Sequence, residues 1–203
     1  MDIAGIMIYM VVGGITPGPN NLMAMYLGAR YGMRGARRFI VGSMSSVFVK
    51  MLLCGLLNLA LAAVIPGVVP YLKWLGAAYM AYLGIHILLS GIKEKKAEAQ
   101  TGESREEGSP GGSSYRDGIL LQLLNIKSWI YALSIFSIYV IPYSRHFSSI
   151  LLWSLAATGV LIVSTLLWTA FGAVISRLYA KYRLPCDIVM CASLLYCAVT
   201  AVM

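Results

Sequence analysis

The stretch Gly13-Gly14-Ile15-Thr16-Pro17-Gly18-Pro19-Asn20-Asn21 interrupts an apolar run near the start of the chain. Its two prolines each remove a backbone donor and clash with the preceding turn, so a continuous α-helix cannot pass through it. Carbonyl groups before the prolines lose their partners, and the amides after them begin a second half-helix. In lipid, such unwound backbone is tolerated only where it is buried in protein or lines a wet cavity. The stretch therefore predicts a broken helix at a binding site, with a packing kink that holds no ligand as the alternative.

The composition of the whole chain favours a membrane environment. Charged residues make up 12% and hydrophobic residues 59%, and the mean hydropathy is +0.77; soluble domains carry about 25% charged residues. Six apolar runs fit the roughly 20 residues that a membrane-spanning helix needs. They lie at about 3–29, 39–64, 68–91, 117–140, 147–175 and 186–203. We therefore predict an all-α, multi-pass protein of the cell membrane, with a tight turn at Pro66 and Pro70 between runs two and three.

One long polar segment divides these runs into two halves of three. The segment at about 93–116 is rich in Lys, Glu, Gly and Ser and predicts a flexible cytoplasmic linker. Because three is odd, the halves at about 1–92 and 117–203 would cross the bilayer in opposite directions. The sequence therefore predicts one transmembrane domain over 1–203, built as a 3+3 inverted repeat with a broken first helix.

The basic residues predict the orientation in the membrane, because loops rich in Lys and Arg stay cytoplasmic. On one side, the loops between the runs hold only Lys73 and Arg145. The loops of the other side contain Arg30, Arg34, Arg37, Arg38, Lys93, Lys95, Lys96, Arg105, Arg116, Arg177, Lys181 and Arg183. Both termini are therefore predicted to lie outside. The net charge of +8 is spread between apolar runs rather than over one folded face, so we expect no nucleic-acid partner.

Polar residues inside the apolar runs are the candidates for a site. Gln122, Asn125 and Lys127 cluster in the fourth run. A lysine at the bilayer centre costs roughly 2.5–3.5 kcal/mol on insertion scales, so Lys127 should face protein or water unless it snorkels to an interface. Lys50, in the second run, has two readings left open: it neutralises a substrate carboxylate, or it pairs with a carbonyl group inside the bundle.

The acidic residues Asp2, Asp117 and Asp187 lie at run ends, and no Asp or Glu occurs inside a run. A cation pump usually places carboxylates at membrane depth, so we expect no metal site. The interior instead favours a ligand carboxylate at cations and half-helix amides, with a ligand amine at the freed carbonyls. No catalytic residue or cofactor is predicted. The predicted substrate-binding residues are Thr16, Pro17, Gly18, Pro19, Asn20, Asn21, Lys50, Gln122, Asn125 and Lys127.

Several of these motifs resemble one known family. The chain resembles the lysine-exporter superfamily, in its homoserine and threonine resistance branch. The motifs that carry this resemblance follow in the family's order: Thr16-Pro17-Gly18-Pro19-Asn20, then Gly32, Arg37 and Gly42, then the segment from Trp74 to Gly84. The family's second motif, Asn-Pro-Lys, is Asn125-Ile126-Lys127 here, and the missing proline weakens the case for a sharp break in the fourth run. That variant is similar to the one in exporters of cysteine and O-acetylserine, as are Tyr131 and the segment from Tyr196 to Val199.

This resemblance implies a secondary exporter rather than an enzyme. Its expected substrates are small neutral amino acids or derivatives, of the cysteine and O-acetylserine or the homoserine and threonine type, and the expected driving force is proton antiport. Two other classes stay open. The cysteines Cys54, Cys186, Cys191 and Cys197 contain no CxxC pair but leave a thiol-redox membrane enzyme as a competitor, and a channel is the second. Homo-oligomerisation is left open.

Overall fold

A computed structural model describes residues 2–101 and 114–203 of the chain. No strand occurs in these ranges, which confirms the all-α prediction. The α-helices are α1 (Ile3–Ile15), α2 (Pro19–Leu56), α3 (Asn58–Thr101), α4 (Tyr115–Leu124), α5 (Ile126–Ser134), α6 (Phe147–Val174), α7 (Ser176–Lys181) and α8 (Arg183–Val202), and a π-helical segment (Ile135–Val140) follows α5 directly.

The first helix is broken where the two prolines predict it. The side chain of Asp2 accepts a hydrogen bond from the Gly5 amide at 2.9 Å and caps the start of α1. That helix ends at Ile15, and α2 begins at Pro19, so Thr16, Pro17 and Gly18 form the break. Pro19 occupies the first turn of α2, where its missing N–H removes no helical hydrogen bond.

The arginine-rich segment after this first span is helical rather than a loop, which corrects the sequence interpretation. Residues 30–38 belong to α2, and only Gly32 departs from helical geometry, with φ 65° and ψ −179°. This conformation is essentially restricted to glycine, so Gly32 changes the chain direction without an exposed loop. The helix therefore consists of two segments that meet at Gly32.

The predicted turn at Pro66 and Pro70 is wrong. Both prolines lie inside α3, and the boundary between α2 and α3 is at Leu57, where φ is −107° and ψ is 27°. Membrane helices tolerate proline because neighbouring groups and local adjustment satisfy the freed carbonyls. The same helix continues to Thr101, into the segment interpreted as a linker, and residues 102–113 of that segment lie outside the described part of the chain.

Among the described residues, four helical segments are long and apolar enough to cross a membrane: Pro19–Leu56, Ala63–Lys95, Phe147–Val174 and Arg183–Val202. A fifth span results if α4 and Ile126–Val140, which are bent by 65°, are counted together. At 13 residues, α1 is too short to span a bilayer alone. The chain is therefore a helical membrane protein with four or five candidate spans.

Glycines let α2 pack closely against α6 and α4. Gly28 of α2 lies against the backbone of Thr169, and Gly172 of α6 lies against the backbone of Met25. Small residues let membrane helices approach at backbone distance in this way. Further along α2, Gly42 packs on the start of α4. The long helix α3 packs mainly on α8.

Candidate functional site

The carbonyl groups freed by the first break are held by side chains from outside α1. The Asn21 amide nitrogen donates to the Gly14 oxygen at 3.0 Å and to the Thr16 oxygen at 3.2 Å. The Ser164 hydroxyl donates to the same Gly14 oxygen at 2.8 Å, and Trp168 Nε1 donates to the Ile15 oxygen at 3.2 Å. The break is thus stabilised by polar groups of α2 and α6, as unwound backbone at membrane depth requires.

Lys127 reaches the same break from α5. Its Nζ donates to the carbonyl oxygens of Thr16 at 3.1 Å and Pro17 at 3.4 Å. These contacts place a positive charge at the carbonyl end of a half-helix, where the helix dipole favours a cation. A lysine ammonium has three donors, so one donor remains for a ligand. The side chain is exposed rather than enclosed by packing.

A second break lies at Asn125, although this position lacks the proline of the family motif. Asn125 has φ −84° and ψ 99°, an extended conformation, and separates α4 from α5. The carbonyl groups before it are held by donors from elsewhere: Trp129 Nε1 bonds the Leu123 oxygen at 2.8 Å, and Lys50 Nζ bonds the Gln122 oxygen at 2.5 Å. The expectation that the missing proline weakens this break is wrong, because the bend is 65°.

Lys50 is buried beside this second break, with 1% of its surface exposed. In addition to the Gln122 carbonyl, its ammonium donates to the Ser128 hydroxyl at 2.7 Å and lies 5.0 Å from the centre of the Trp129 ring. It lines neither of the two cavities described below. Of the two readings of Lys50, this geometry fits the pairing with a carbonyl group.

A buried chain of hydrogen bonds connects the two breaks. Gln122 Nε2 donates to Ser43 Oγ at 3.1 Å, and Ser43 Oγ donates to Asn20 Oδ1 at 2.6 Å. The Asn20 amide nitrogen then donates to Thr165 Oγ1 at 3.3 Å. Because the Ser43 hydroxyl proton is committed to Asn20, this hydroxyl can only accept from Gln122, and that fixes the orientation of the glutamine amide. Gln122 Oε1 is left without a hydrogen-bond partner, although only 3% of the residue is exposed.

These groups surround a small cavity of about 50 Å³ between the two breaks. Seven of the predicted residues line it: Thr16, Gly18, Asn20, Asn21, Gln122, Asn125 and Lys127. It has room for one or two water molecules, since a water occupies about 30 Å³ in the liquid. Both breaks therefore present polar groups to one shared space.

A larger cavity of about 910 Å³ adjoins it on the side of the chain termini. Its walls come from α1, α3, α5 and α8 and include Gly5, Lys73 and Thr200. Five residues line both cavities: Gly13, Gly18, Asn125, Lys127 and Tyr131. Pro17 and Pro19, also predicted as site residues, line the larger cavity only. Lys127 therefore stands where the two cavities meet.

Sequence reasoning missed the contribution of α6 to this site. Ser164, Thr165 and Trp168 bond the first break or its neighbours, and none of them was predicted. A signal was present, because Ser154, Thr158, Thr165 and Thr169 recur at intervals of four, seven and four residues along an apolar helix. All four are buried in the structure.

Within the described part of the chain, the charged side chains that line the two cavities are Lys127 and Lys73, and no carboxylate lines either cavity. Among the described residues, no group of three or more His, Cys, Asp or Glu side chains is placed to hold a metal ion. The cysteines Cys54, Cys186, Cys191 and Cys197 are free thiols, and of these Cys197 lines the larger cavity. The site is thus a positively charged, amide-rich space at two helix breaks.

Comparison with known sequences identifies the family that carries this arrangement. The sequence profile of the family described as LysE type translocator matches residues 11–202. The chain belongs to this family. Together with its apolar helices, membership of the LysE type translocators makes it a multi-pass membrane transport protein.

Curated relatives of this LysE type translocator carry the description "Cysteine/O-acetylserine efflux protein". The protein of Escherichia coli O139:H28 (strain E24377A / ETEC) is 29% identical over 191 residues, which cover 94% of this chain and 92% of the relative. Those of Escherichia coli (strain K12) and Shigella sonnei (strain Ss046) are also 29% identical over the same shares. No solved structure matches the chain significantly.

Proposed function

We propose that this protein is a secondary active exporter of small neutral amino acids or their derivatives, of the cysteine and O-acetylserine or the homoserine and threonine type, driven by proton antiport. One observation carries the proposal: Lys127, which bears an ammonium group, and Gln122, whose buried amide oxygen Oε1 has no hydrogen-bond partner, line one cavity between two helix breaks. An amino acid presents the two complementary groups, a carboxylate and an ammonium. The efflux proteins of Escherichia coli and Shigella support the substrate class.

The substrate carboxylate is assigned to the first break. Lys127 has one donor left after its bonds to Thr16 and Pro17. The first helical hydrogen bond of α2 runs from the Leu22 amide to the Gly18 oxygen, so the amides of Asn20 and Asn21 precede it. Such first-turn amides, together with the positive end of the helix dipole, favour an anion. Lys127 and the start of α2 would therefore hold the carboxylate from two sides.

The substrate ammonium is assigned to Gln122. The freed carbonyls of the first break already accept protein donors, so the sequence-based assignment of the amine to those carbonyls is revised. Gln122 Oε1 accepts no bond, and Ser43 holds it in place through Nε2. A buried acceptor without a partner costs about 1–3 kcal/mol, which a bound ammonium would recover.

The described residues that line the two cavities include no carboxylate, which favours a neutral substrate side chain over a cationic one. A lysine-like side chain would add a third positive charge beside Lys127 and Lys73 without an acidic partner. The small cavity holds only one or two waters, so substrate binding needs movement of the surrounding helices. Rocking of the two halves about the breaks would supply this movement and alternate the access.

The topology belongs to the same proposal. Gly32 divides α2, so α1 with the first part of α2 can form one span and the rest a second, which gives six spans in a 3+3 inverted repeat. The basic side chains within 30–38 and at the end of α3 would face the cytoplasm, and both termini would lie on the outer side of the cell membrane. Association into homo-oligomers is compatible with this topology but is not part of the proposal.

Counterflow in proteoliposomes tests the function. Labelled O-acetylserine, cysteine, threonine, homoserine, leucine and lysine are presented to vesicles loaded with the same unlabelled compound. A carrier exchanges the two pools, whereas a channel lets both leak, and we expect exchange of the neutral compounds only. No exchange of any neutral compound by the wild-type protein would refute the proposal.

The carboxylate assignment is tested with Lys127→Gln and, as the matched control, Lys73→Gln, which changes the other cavity lysine. The wild type and the control should prefer free threonine over its methyl ester as competitors of counterflow. Lys127→Gln should lose this preference along with most of the exchange, because the ester lacks the anion that Lys127 binds. Full exchange with the preference intact in Lys127→Gln would remove this lysine from the site.

A further inference from the structure

A second group of charged side chains lies away from both cavities, where α2, α3 and α8 meet. Arg30 of α2 is only 8% exposed, and its Nη2 lies 2.5 Å from Glu94 Oε1 of α3. The other Glu94 oxygen pairs with Arg183 at the start of α8. Glu94 therefore joins three helices through two ion pairs.

Asp187 lies beside these ion pairs and is fully buried, with 0% of its surface exposed. Its Oδ1 accepts a hydrogen bond from the Tyr179 hydroxyl at 2.5 Å, while Oδ2 has no hydrogen-bond partner. Sequence reasoning placed this residue at the end of a span and did not predict its burial. A buried carboxylate with a single hydrogen bond is unusual, since such groups are either fully paired or take up a proton.

Two features of the surroundings of Asp187 have opposite effects on its charge. Burial favours the neutral carboxylic acid, and nearby guanidinium groups favour the carboxylate. The titratable and charged groups around it are Tyr26, Arg30 and Tyr31 on α2, Glu94 on α3, Tyr179 on α7, and Arg183 and Cys186 on α8 itself. Burial raises the pKa of the Tyr179 phenol, so this hydroxyl stays protonated and acts as the hydrogen-bond donor to Asp187.

The ion pairs and Asp187 connect the two halves of the chain at the end opposite the larger cavity. Arg30 and Glu94 belong to the first half, and Arg183 and Asp187 to the second. On α8, Cys197 lines the larger cavity, and Asp187 precedes it by ten residues, about 15 Å along the helix. Closure at this end is what an exporter needs while its cavity is open at the other.

We propose that these four residues form the inner gate of the carrier and that Asp187 is its proton-binding site. This inference rests on the proposed exporter function. With all four groups ionised, two positive charges balance two negative ones. When Asp187 takes one proton at Oδ2, Arg30 and Arg183 lose one of the negative charges that attract them, the net charge of this buried site rises by one, and the inner ends of the halves separate. Loss of the proton to the cytoplasm restores the balance, so each proton brought inward permits one substrate to load.

Buried hydroxyl groups lie between the small cavity and this gate. Thr165 bonds Asn20 of the cavity lining, and Thr169 lies one turn further along α6. There α6 contacts Gly28, two residues before Arg30, and Arg30 Nη1 donates to the Tyr26 hydroxyl at 2.6 Å. The ring of Tyr26 lies 6.2 Å from that of Tyr179, the partner of Asp187. These hydroxyls provide hydrogen-bonding groups along the route that a proton would take.

Asp187→Asn, reconstituted in proteoliposomes, tests the gate. The neutral amide mimics the protonated acid and should hold the inner end open, so counterflow of labelled O-acetylserine should fall and an imposed pH gradient should no longer stimulate net transport. Asp117→Asn is the matched control, because Asp117 is also the partner of a tyrosine, Tyr79 at 3.3 Å, but is partly exposed. The control should keep both activities. Gradient stimulation that survives in Asp187→Asn would overturn the proposal.

Proton binding is also measured directly, without a substrate. Infrared difference spectra of the purified wild type and of Asp117→Asn should gain a protonated carboxyl band as the pH falls, and Asp187→Asn should lack that band. If the wild type fails in counterflow, the exporter function is refuted while this band still decides whether Asp187 binds a proton.

Tyr179→Phe is the second variant, for use if Asp187→Asn does not fold. Loss of the hydrogen bond to the carboxylate should move the midpoint of the carboxyl band to higher pH. An unchanged midpoint would contradict the assignment.

Discussion

The two lysines near the helix breaks differ in what remains available to a ligand. Lys127 is exposed at the junction of two cavities and keeps one donor. Lys50 is buried and bonds the Gln122 carbonyl and the Ser128 hydroxyl, with the Trp129 ring beside it. Both bind carbonyl groups at the end of a half-helix, but only one of them can meet a substrate without a rearrangement of the core.

Lys50→Met should therefore destabilise the protein more than it alters substrate recognition. The methionine fills the space but leaves the Gln122 carbonyl without its donor, and an unsatisfied buried acceptor costs about 1–3 kcal/mol. Thermal unfolding in detergent should show a lower midpoint, and the folded fraction should retain the KM of the wild type. Lys73→Met, the same change at a partly exposed position, should leave the midpoint unchanged. A raised KM with normal stability in Lys50→Met would instead place Lys50 in the site.

At the scale of the helix, the break at Asn125 arises without a proline. Asn125 adopts φ −84° and ψ 99°, and the carbonyls before it are bonded by Lys50 and Trp129 rather than by helical amides. External donors thus replace the helical hydrogen bonds, which is the condition for unwound backbone within a membrane. In the first break, Asn21 and Ser164 have the corresponding role.

Ile126→Pro should consequently be tolerated. Ile126 is the first residue of α5, where the missing N–H of a proline removes no helical bond, and the extended Asn125 before it suits a residue that precedes proline. Stability should change by no more than about 1 kcal/mol, and transport should persist. Ile130→Pro is the control inside the same helix, and it should cost about 3 kcal/mol or more. Equal damage by both substitutions would contradict the described break.

At the scale of the whole molecule, the features that depend on local chemistry could be predicted from the sequence. Two prolines in an apolar run suffice to break a helix, so the break at Thr16 to Gly18 followed from residue types alone. The approach of Lys127 to that break could be anticipated because a membrane-embedded ammonium must find polar partners. Membership of the LysE type translocators was also carried by local motifs.

Features that depend on packing between distant segments could not be predicted. Pro66 and Pro70 gave the local signal of a turn, but the surrounding helix tolerates both. The burial of Asp187 and Arg30 is invisible in sequence, because each lies near a predicted span end and is enclosed only by residues far away in the chain. Gln122 was predicted as a site residue, but its unpaired oxygen follows from Ser43, 79 positions away.

With both termini outside and the inner end closed, as proposed, the larger cavity opens to the outside of the cell. This arrangement predicts how Cys197 reacts. Cys197 lines the larger cavity, which lies on the side of both termini. In a variant that retains Cys197 and has alanine at the other three cysteine positions, a membrane-impermeant maleimide added outside intact cells should modify Cys197. Threonine or O-acetylserine should slow this reaction, because bound substrate would occupy the space beside Lys127. Mass spectrometry of the purified protein measures the modified fraction.

A variant that retains only Cys54 provides the control, since Cys54 has no exposed surface and should resist the reagent in intact cells. Labelling of Cys197 from the cytoplasmic side of inverted vesicles, but not from outside, would reverse the proposed orientation while leaving the cavity in place. Equal labelling with and without substrate would mean that substrate does not bind beside Cys197 in this cavity. The two results therefore test topology and binding independently, with one thiol.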